Sequence, residues 1–71
     1  MNQINPKKLL NSKWTAVYPD KSEMHFLVTD VKFSDEGKVI HCILEAILTK
    51  NTKSIQWQQL KDSDHWLFGW Q

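Results

Sequence analysis

Four tryptophans in a chain of 71 residues, at positions 14, 57, 66 and 70, constrain this sequence more than any other feature. Each large aromatic side chain buries roughly 150–250 Å² when packed, so a few of them supply much of the apolar contact that so short a chain can assemble. A small single core contributes only about 3–5 kcal/mol, and help from a disulfide, a metal or a partner is the usual remedy. The one cysteine, Cys42, excludes an intramolecular disulfide. The length allows one domain, residues 1–71, and leaves no room for a two-domain enzyme.

Charge narrows the function classes. Nine lysines stand against eight acids, for a formal net charge of +1, and there is no arginine. That balance argues against a strongly basic nucleic-acid binder and against an acidic disordered tail. No apolar run approaches the roughly 20 residues needed to span a bilayer, and no basic-apolar-small leader opens the chain. The expectation is a soluble cytoplasmic protein without a membrane partner.

Asn5-Pro6-Lys7-Lys8-Leu9-Leu10 reads as a short N-terminal helix, capped by Asn5, with Pro6 where its missing N–H costs nothing. Lys13 to Tyr18 favours a strand, and Pro19-Asp20-Lys21-Ser22 a turn. Met24 to Phe33 is apolar on both alternating faces at first and on one face later, as in a strand that curls out of a small core. Ser34-Asp35-Glu36-Gly37 supplies a reversal, with Gly37 free to take a left-handed φ.

Val39 to Thr49 fits two periods. As a strand it aligns Ile40, Cys42, Leu44, Ala46 and Leu48; as a helix it aligns Val39, Ile40, Ile43, Leu44, Ile47 and Leu48. The β-branched residues and the turns on both sides favour a strand. Ser54 to Gln58 alternates as a half-solvated strand, Leu60 to Asp64 reads as a turn or a single helical turn, and Trp66 and Trp70 fall on one side of an extended or helical tail. The expected fold is mainly β: a small antiparallel curled sheet or open barrel of four to five strands with a short N-terminal helix. The alternative is α+β, with residues 39–50 helical.

Catalytic and metal chemistry find little footing. His25, His41, Cys42 and His65 show no paired-ligand spacing; Asp62, Asp64 and His65 could loosely hold a divalent ion, but Ser63 and Asp62 are ordinary capping residues of a short turn and capping is the better reading. Cys42 follows His41, but adjacent strand residues point to opposite faces. With two glycines there is no phosphate loop. No enzyme, metal or cofactor is expected.

The aromatics admit two accounts. Trp14 and Trp57 lie in strand-like patterns and suit a core, whereas Trp66 and Trp70 flank Gly69 near the terminus and suit an exposed ledge. The expected function is a non-catalytic interaction module presenting Lys13, Trp14, Trp66 and Trp70 to a protein partner. The alternative is single-stranded nucleic-acid binding, with bases stacked on Trp66 or Trp70 and lysines on phosphates. A subunit with so small a core also gains from pairing with a copy of itself.

Lys13-Trp14-Thr15-Ala16-Val17, His25-Phe26-Leu27-Val28-Thr29, Leu44-Glu45-Ala46, Ile55-x-Trp57-x-x-Leu60-x-Asp62 and Trp66-x-x-Gly69-Trp70 occur in that order. Together they resemble a family of small Trp-rich domains of unknown function from cyanobacteria and proteobacteria, over Asn5 to Trp70. The resemblance implies tryptophans as the hallmark and no known activity, ligand or cofactor. Where that family often carries arginines, this chain has Lys50-Asn51-Thr52-Lys53 and Gln58.

Overall fold

The computed structural model describes the backbone of all 71 residues and every side chain except that of Asp20. Asn5 caps as its sequence predicts: its side-chain oxygen accepts the Lys7 N–H at 3.0 Å, and Pro6–Lys8 form one 3-10 turn. Five strands follow, β1 (Lys13–Asp20), β2 (Glu23–Phe33), β3 (Val39–Ala46), β4 (Thr52–Ser54) and β5 (Trp66–Phe68). All pairings are antiparallel, in the spatial order β4-β3-β2-β1-β5.

The segment that fits two periods is a strand, because β2 offers it a ladder: Val28 pairs with Leu44 and Phe26 with Ala46. The apolar residues on both faces of β2 have a related cause. The register shifts between Val28 and Asp30, so Thr29 is the extra residue of a bulge. The core face therefore runs through Phe26 and Val28 and resumes at Val31, opposite Cys42. Pro19 fits inside β1 because the β1–β2 ladder is interrupted between Thr15 and Asp20, where no ladder N–H is demanded of it.

Three expectations need correction. The sheet is open and uncurled rather than a barrel: its edges, β4 and β5, are three residues each and lie at opposite ends of the strand order. Its apolar face is sealed by non-sheet segments instead of by closure. Leu9 and Leu60 are both fully buried against it, Leu60 coming from a 3-10 helix at Trp57–Lys61. The predicted strand over 54–58 is not formed: only Ser54 is in a strand, and Trp57 and Gln58 open that helix. Ser54 is the last residue of β4, the Ile55 N–H still reaches the Cys42 carbonyl at 3.0 Å, and the chain then folds back over the core.

The third correction concerns the tail. Gly69 adopts φ +80°, and this left-handed turn sends Trp70 to the opposite face from Trp66. There the Gln71 N–H donates to Thr15 Oγ1, and Thr15 Oγ1 donates to the Gly69 carbonyl at 2.7 Å. This second face of the sheet is otherwise uncovered: Leu27, Ile43, Glu45 and Leu67 are half-buried and Lys13 is exposed, with only Thr15 buried beneath the tail. No helix is long and apolar enough to cross a membrane.

Candidate functional site

The four residues expected to form one surface are divided by the sheet. Trp14 is fully buried, its indole N–H donating to Ser12 Oγ at 2.8 Å and its ring meeting Phe68 edge-on at 5.2 Å. Trp66 is 9% exposed and packs edge-to-face on Phe26 at 5.3 Å. On the other face the structure does bring Lys13 and Trp70 together: the Lys13 ammonium lies 4.7 Å from the Trp70 ring centre. The Trp70 indole N–H is held by the Phe26 carbonyl at 2.9 Å, and the ring remains 44% exposed. Trp14 is thus scaffold, Trp66 shows only a rim, and Trp70 is a pinned, half-exposed ring.

The rim of Trp66 opens into a cavity of about 170 Å³ on the sealed side of the sheet. Its floor is Ala16, Phe26 and Trp66, and its walls carry Tyr18, Glu23, Lys53 and His65. Strand geometry explains the assembly. Ala16 pairs with Trp66 across β1 and β5, and Tyr18 lies two residues beyond Ala16 on the same strand. Lys53 pairs with Leu44, a core position, so its side chain is carried to the core face. Its ammonium stands 5.1 Å from the Phe26 ring centre and 5.7 Å from that of Trp66.

Each polar wall group is held. Thr49 Oγ1 and Asn51 Nδ2 both donate to Glu23 Oε2, the latter at 3.0 Å. These hydrogen bonds, Thr49 first, hold the Glu23 carboxyl below its ordinary pKa, and the charges of Lys21 and Lys53 act in the same direction. His65 Nδ1 meets Asp62 Oδ2 at 2.6 Å, and Tyr18 packs against the His65 ring at 5.7 Å. The His65 contact, followed by the Asp64 N–H, lowers the Asp62 pKa. A concave aromatic floor with charges of both signs at its lip suits insertion of one side chain of a partner.

Asp62 also performs the capping predicted for it, accepting the Asp64 N–H at 2.9 Å. His41 and Cys42 point apart: His41 Nε2 pairs with Asp30 Oδ2 at 3.2 Å, while the Cys42 thiol is buried and its pKa pushed up by loss of solvent. Among the described residues, no three His, Cys, Asp or Glu side chains converge as metal ligands would.

Sequence reasoning missed Tyr18, Glu23, Lys53 and His65 as a group. Period two from Trp14 through Ala16 reaches Tyr18 and was a usable signal. For Lys53 the deciding fact is its pairing with Leu44, and for His65 its contacts with Tyr18 and Asp62; neither is local.

Over residues 12–71 the chain matches the family described as Tryptophan-rich protein (DUF2389), which carries no assigned function. No curated protein and no solved structure matches it.

Proposed function

We propose that this chain, which belongs to the tryptophan-rich family, is a non-catalytic interaction module that receives one side chain of a protein partner in the cleft over Trp66. The observation that carries the reading is the recess of about 170 Å³ lined by the edges of Phe26 and of Trp66, which is 9% exposed, with Tyr18, Glu23, Lys53 and His65 around it. Rigid aromatic groups at the bottom of a recess, ringed by polar groups, are the usual anchor of a protein interface. The absence of catalysis in this reading is supported by the buried Cys42 thiol and by His41 facing Asp30 on the other side of the sheet. A single buried thiol also suits a reducing compartment such as the cytoplasm.

The nucleic-acid reading draws less support. Base stacking needs a free indole face, and the Trp70 ring has Lys13 against it and its N–H tied to Phe26. Trp57 likewise carries Lys61 at 4.7 Å.

The test uses p-cresol and N-acetyl-leucinamide as probes of the recess, followed by amide and indole NMR shifts. Shifts centred on Phe26, Lys53, His65 and Trp66, weakened in Tyr18→Ala and Lys53→Ala, are expected. Binding elsewhere, or shifts indifferent to both substitutions, would remove this site from consideration.

A further inference from the structure

The polar atoms around the Trp66 recess divide unevenly between acceptors and donors. Glu23 commits one carboxylate oxygen, Oε2, to Thr49 and Asn51, and among the described residues its Oε1 receives no hydrogen bond. The Thr49 and Asn51 bonds, with the charges of Lys21 and Lys53, lower the Glu23 pKa, so this part of the lip is anionic at neutral pH. A carboxylate only accepts, so His65 Nδ1 carries the proton shared with Asp62 Oδ2, and the neutral ring offers Nε2 as a second acceptor. The hydroxyl of Tyr18, a side chain 73% exposed, adds a third. The wall group that can only donate is the Lys53 ammonium.

That ammonium lies over the floor, 5.1 Å from the Phe26 ring centre and 5.7 Å from that of Trp66. A cation above two aromatic rings, close to an ionised carboxylate, is therefore the occupant that the recess draws from its own chain. It is loosely placed. Among the described residues the Lys53 ammonium forms no ion pair and no hydrogen bond, and its residue belongs to β4, three exposed residues at the edge of the sheet. The flexible four-carbon stem lets the charged head swing out to water.

We infer, building on the recess reading proposed above, that the partner's anchoring side chain is an arginine, whose guanidinium displaces the Lys53 ammonium from Phe26 and Trp66. A guanidinium carries its N–H donors in one plane, which matches a lip rich in acceptors and stacks on aromatic rings. It is also more weakly hydrated than an ammonium, so leaving water costs it less. A partner lysine merely exchanges one ammonium for another, and a partner carboxylate meets the charge of Glu23. The chain contains no arginine, so a second copy of it cannot supply the group; the partner is a different protein. Lys53 is then a built-in competitor that covers the rings while the recess is empty of its partner.

NMR titration with N-acetyl-argininamide, N-acetyl-lysinamide and N-acetyl-leucinamide tests the arrangement. In the wild-type chain the argininamide is expected to bind most tightly of the three. It is also expected to return the Lys53 ε-methylene signals, displaced by the Phe26 and Trp66 ring currents in the free chain, toward their ordinary positions. Lys53→Met keeps the apolar stem and removes the competing charge, so argininamide binding is expected to tighten by about two- to fivefold, the weight of one exposed cation–π contact. This is opposite in sign to the loss expected of the neutral probes in Lys53→Ala. Glu23→Gln is expected to weaken argininamide binding by about threefold. Lysinamide or leucinamide binding as tightly as argininamide would overturn the inference. So would Lys53 signals that stay in place at saturation, or weaker argininamide binding to folded Lys53→Met. Leucinamide and p-cresol at Phe26 and Trp66 without argininamide would remove the arginine and keep the recess; no probe at these rings would remove both.

Discussion

Replacing Ser12 by alanine removes one oxygen atom and orphans one buried donor. The Ser12 hydroxyl stands between two groups: it accepts the Trp14 indole N–H at 2.8 Å and donates to the Leu9 carbonyl at 2.6 Å. The Leu9 carbonyl keeps a partner in the variant, because the Ser12 backbone N–H also reaches it at 2.9 Å. The Trp14 indole has no such reserve, since its residue is fully buried and Ser12 Oγ is its partner. An unsatisfied buried donor costs about 1–3 kcal/mol. For a domain of this size each kcal/mol corresponds to about 4–8 °C in melting temperature, so a fall of roughly 5–20 °C is expected. Thermal unfolding followed by far-UV circular dichroism measures the fall, and urea unfolding the free-energy loss. Ser12→Thr, which retains a hydroxyl, is expected to stay close to wild type. In a Trp14→Phe background, where the donor is gone, Ser12→Ala is expected to cost less than about 0.5 kcal/mol beyond Trp14→Phe itself. Equal losses for Ser12→Ala in both backgrounds, or none in the wild type, would refute the reasoning.

The β1–β2 turn places Lys21 at φ 53° and Ser22 at φ 65°, positions that L side chains resist and that asparagine-glycine accepts. Lys21→Asn with Ser22→Gly is expected to raise stability by about 1–2 kcal/mol, seen as a higher urea midpoint at unchanged slope. Cys42 is 1% exposed with its thiol pKa raised by burial, so labelling by Ellman's reagent should wait for unfolding and accelerate with urea; complete labelling within seconds in native buffer would contradict its placement. Glu23 and Asp62 both have pKa values lowered in the folded chain. Their stabilising contribution is therefore full above the ordinary carboxylate range and is lost as pH falls through the lowered folded values. Thr49→Ala should move the Glu23 titration, read from its side-chain carboxyl carbon by NMR, back up toward the usual glutamate value.

Much of the fold is written in local patterns. Asn5 and Pro6 announce the first turn, the β-branched run from Val39 marks β3, and Gly37 takes the left-handed φ of +81° that its turn predicts. The failures share a cause: each depends on a partner distant in sequence. Ile55 and Trp57 alternate like strand residues, but β4 stops at Ser54 because the core needs Leu60 as a lid. Trp66 and Trp70 are equivalent by spacing, and the φ of Gly69, supported by Thr15 and Phe26 on neighbouring strands, separates them. Lys53 gives no sign in the sequence that it will lie over Phe26 and Trp66; its pairing with Leu44 decides that.

The central claim is that the sheet has one sealed and one open face, dividing the indoles between them. Acrylamide quenching of variants retaining only Trp14, Trp66 or Trp70, the other indoles replaced by phenylalanine, tests it most directly. Blue-shifted, weakly quenched emission from Trp14 and Trp66 and red-shifted, readily quenched emission from Trp70 are the predicted result. Equal quenching of all three rings, or a Trp14 more accessible than Trp70, would contradict it.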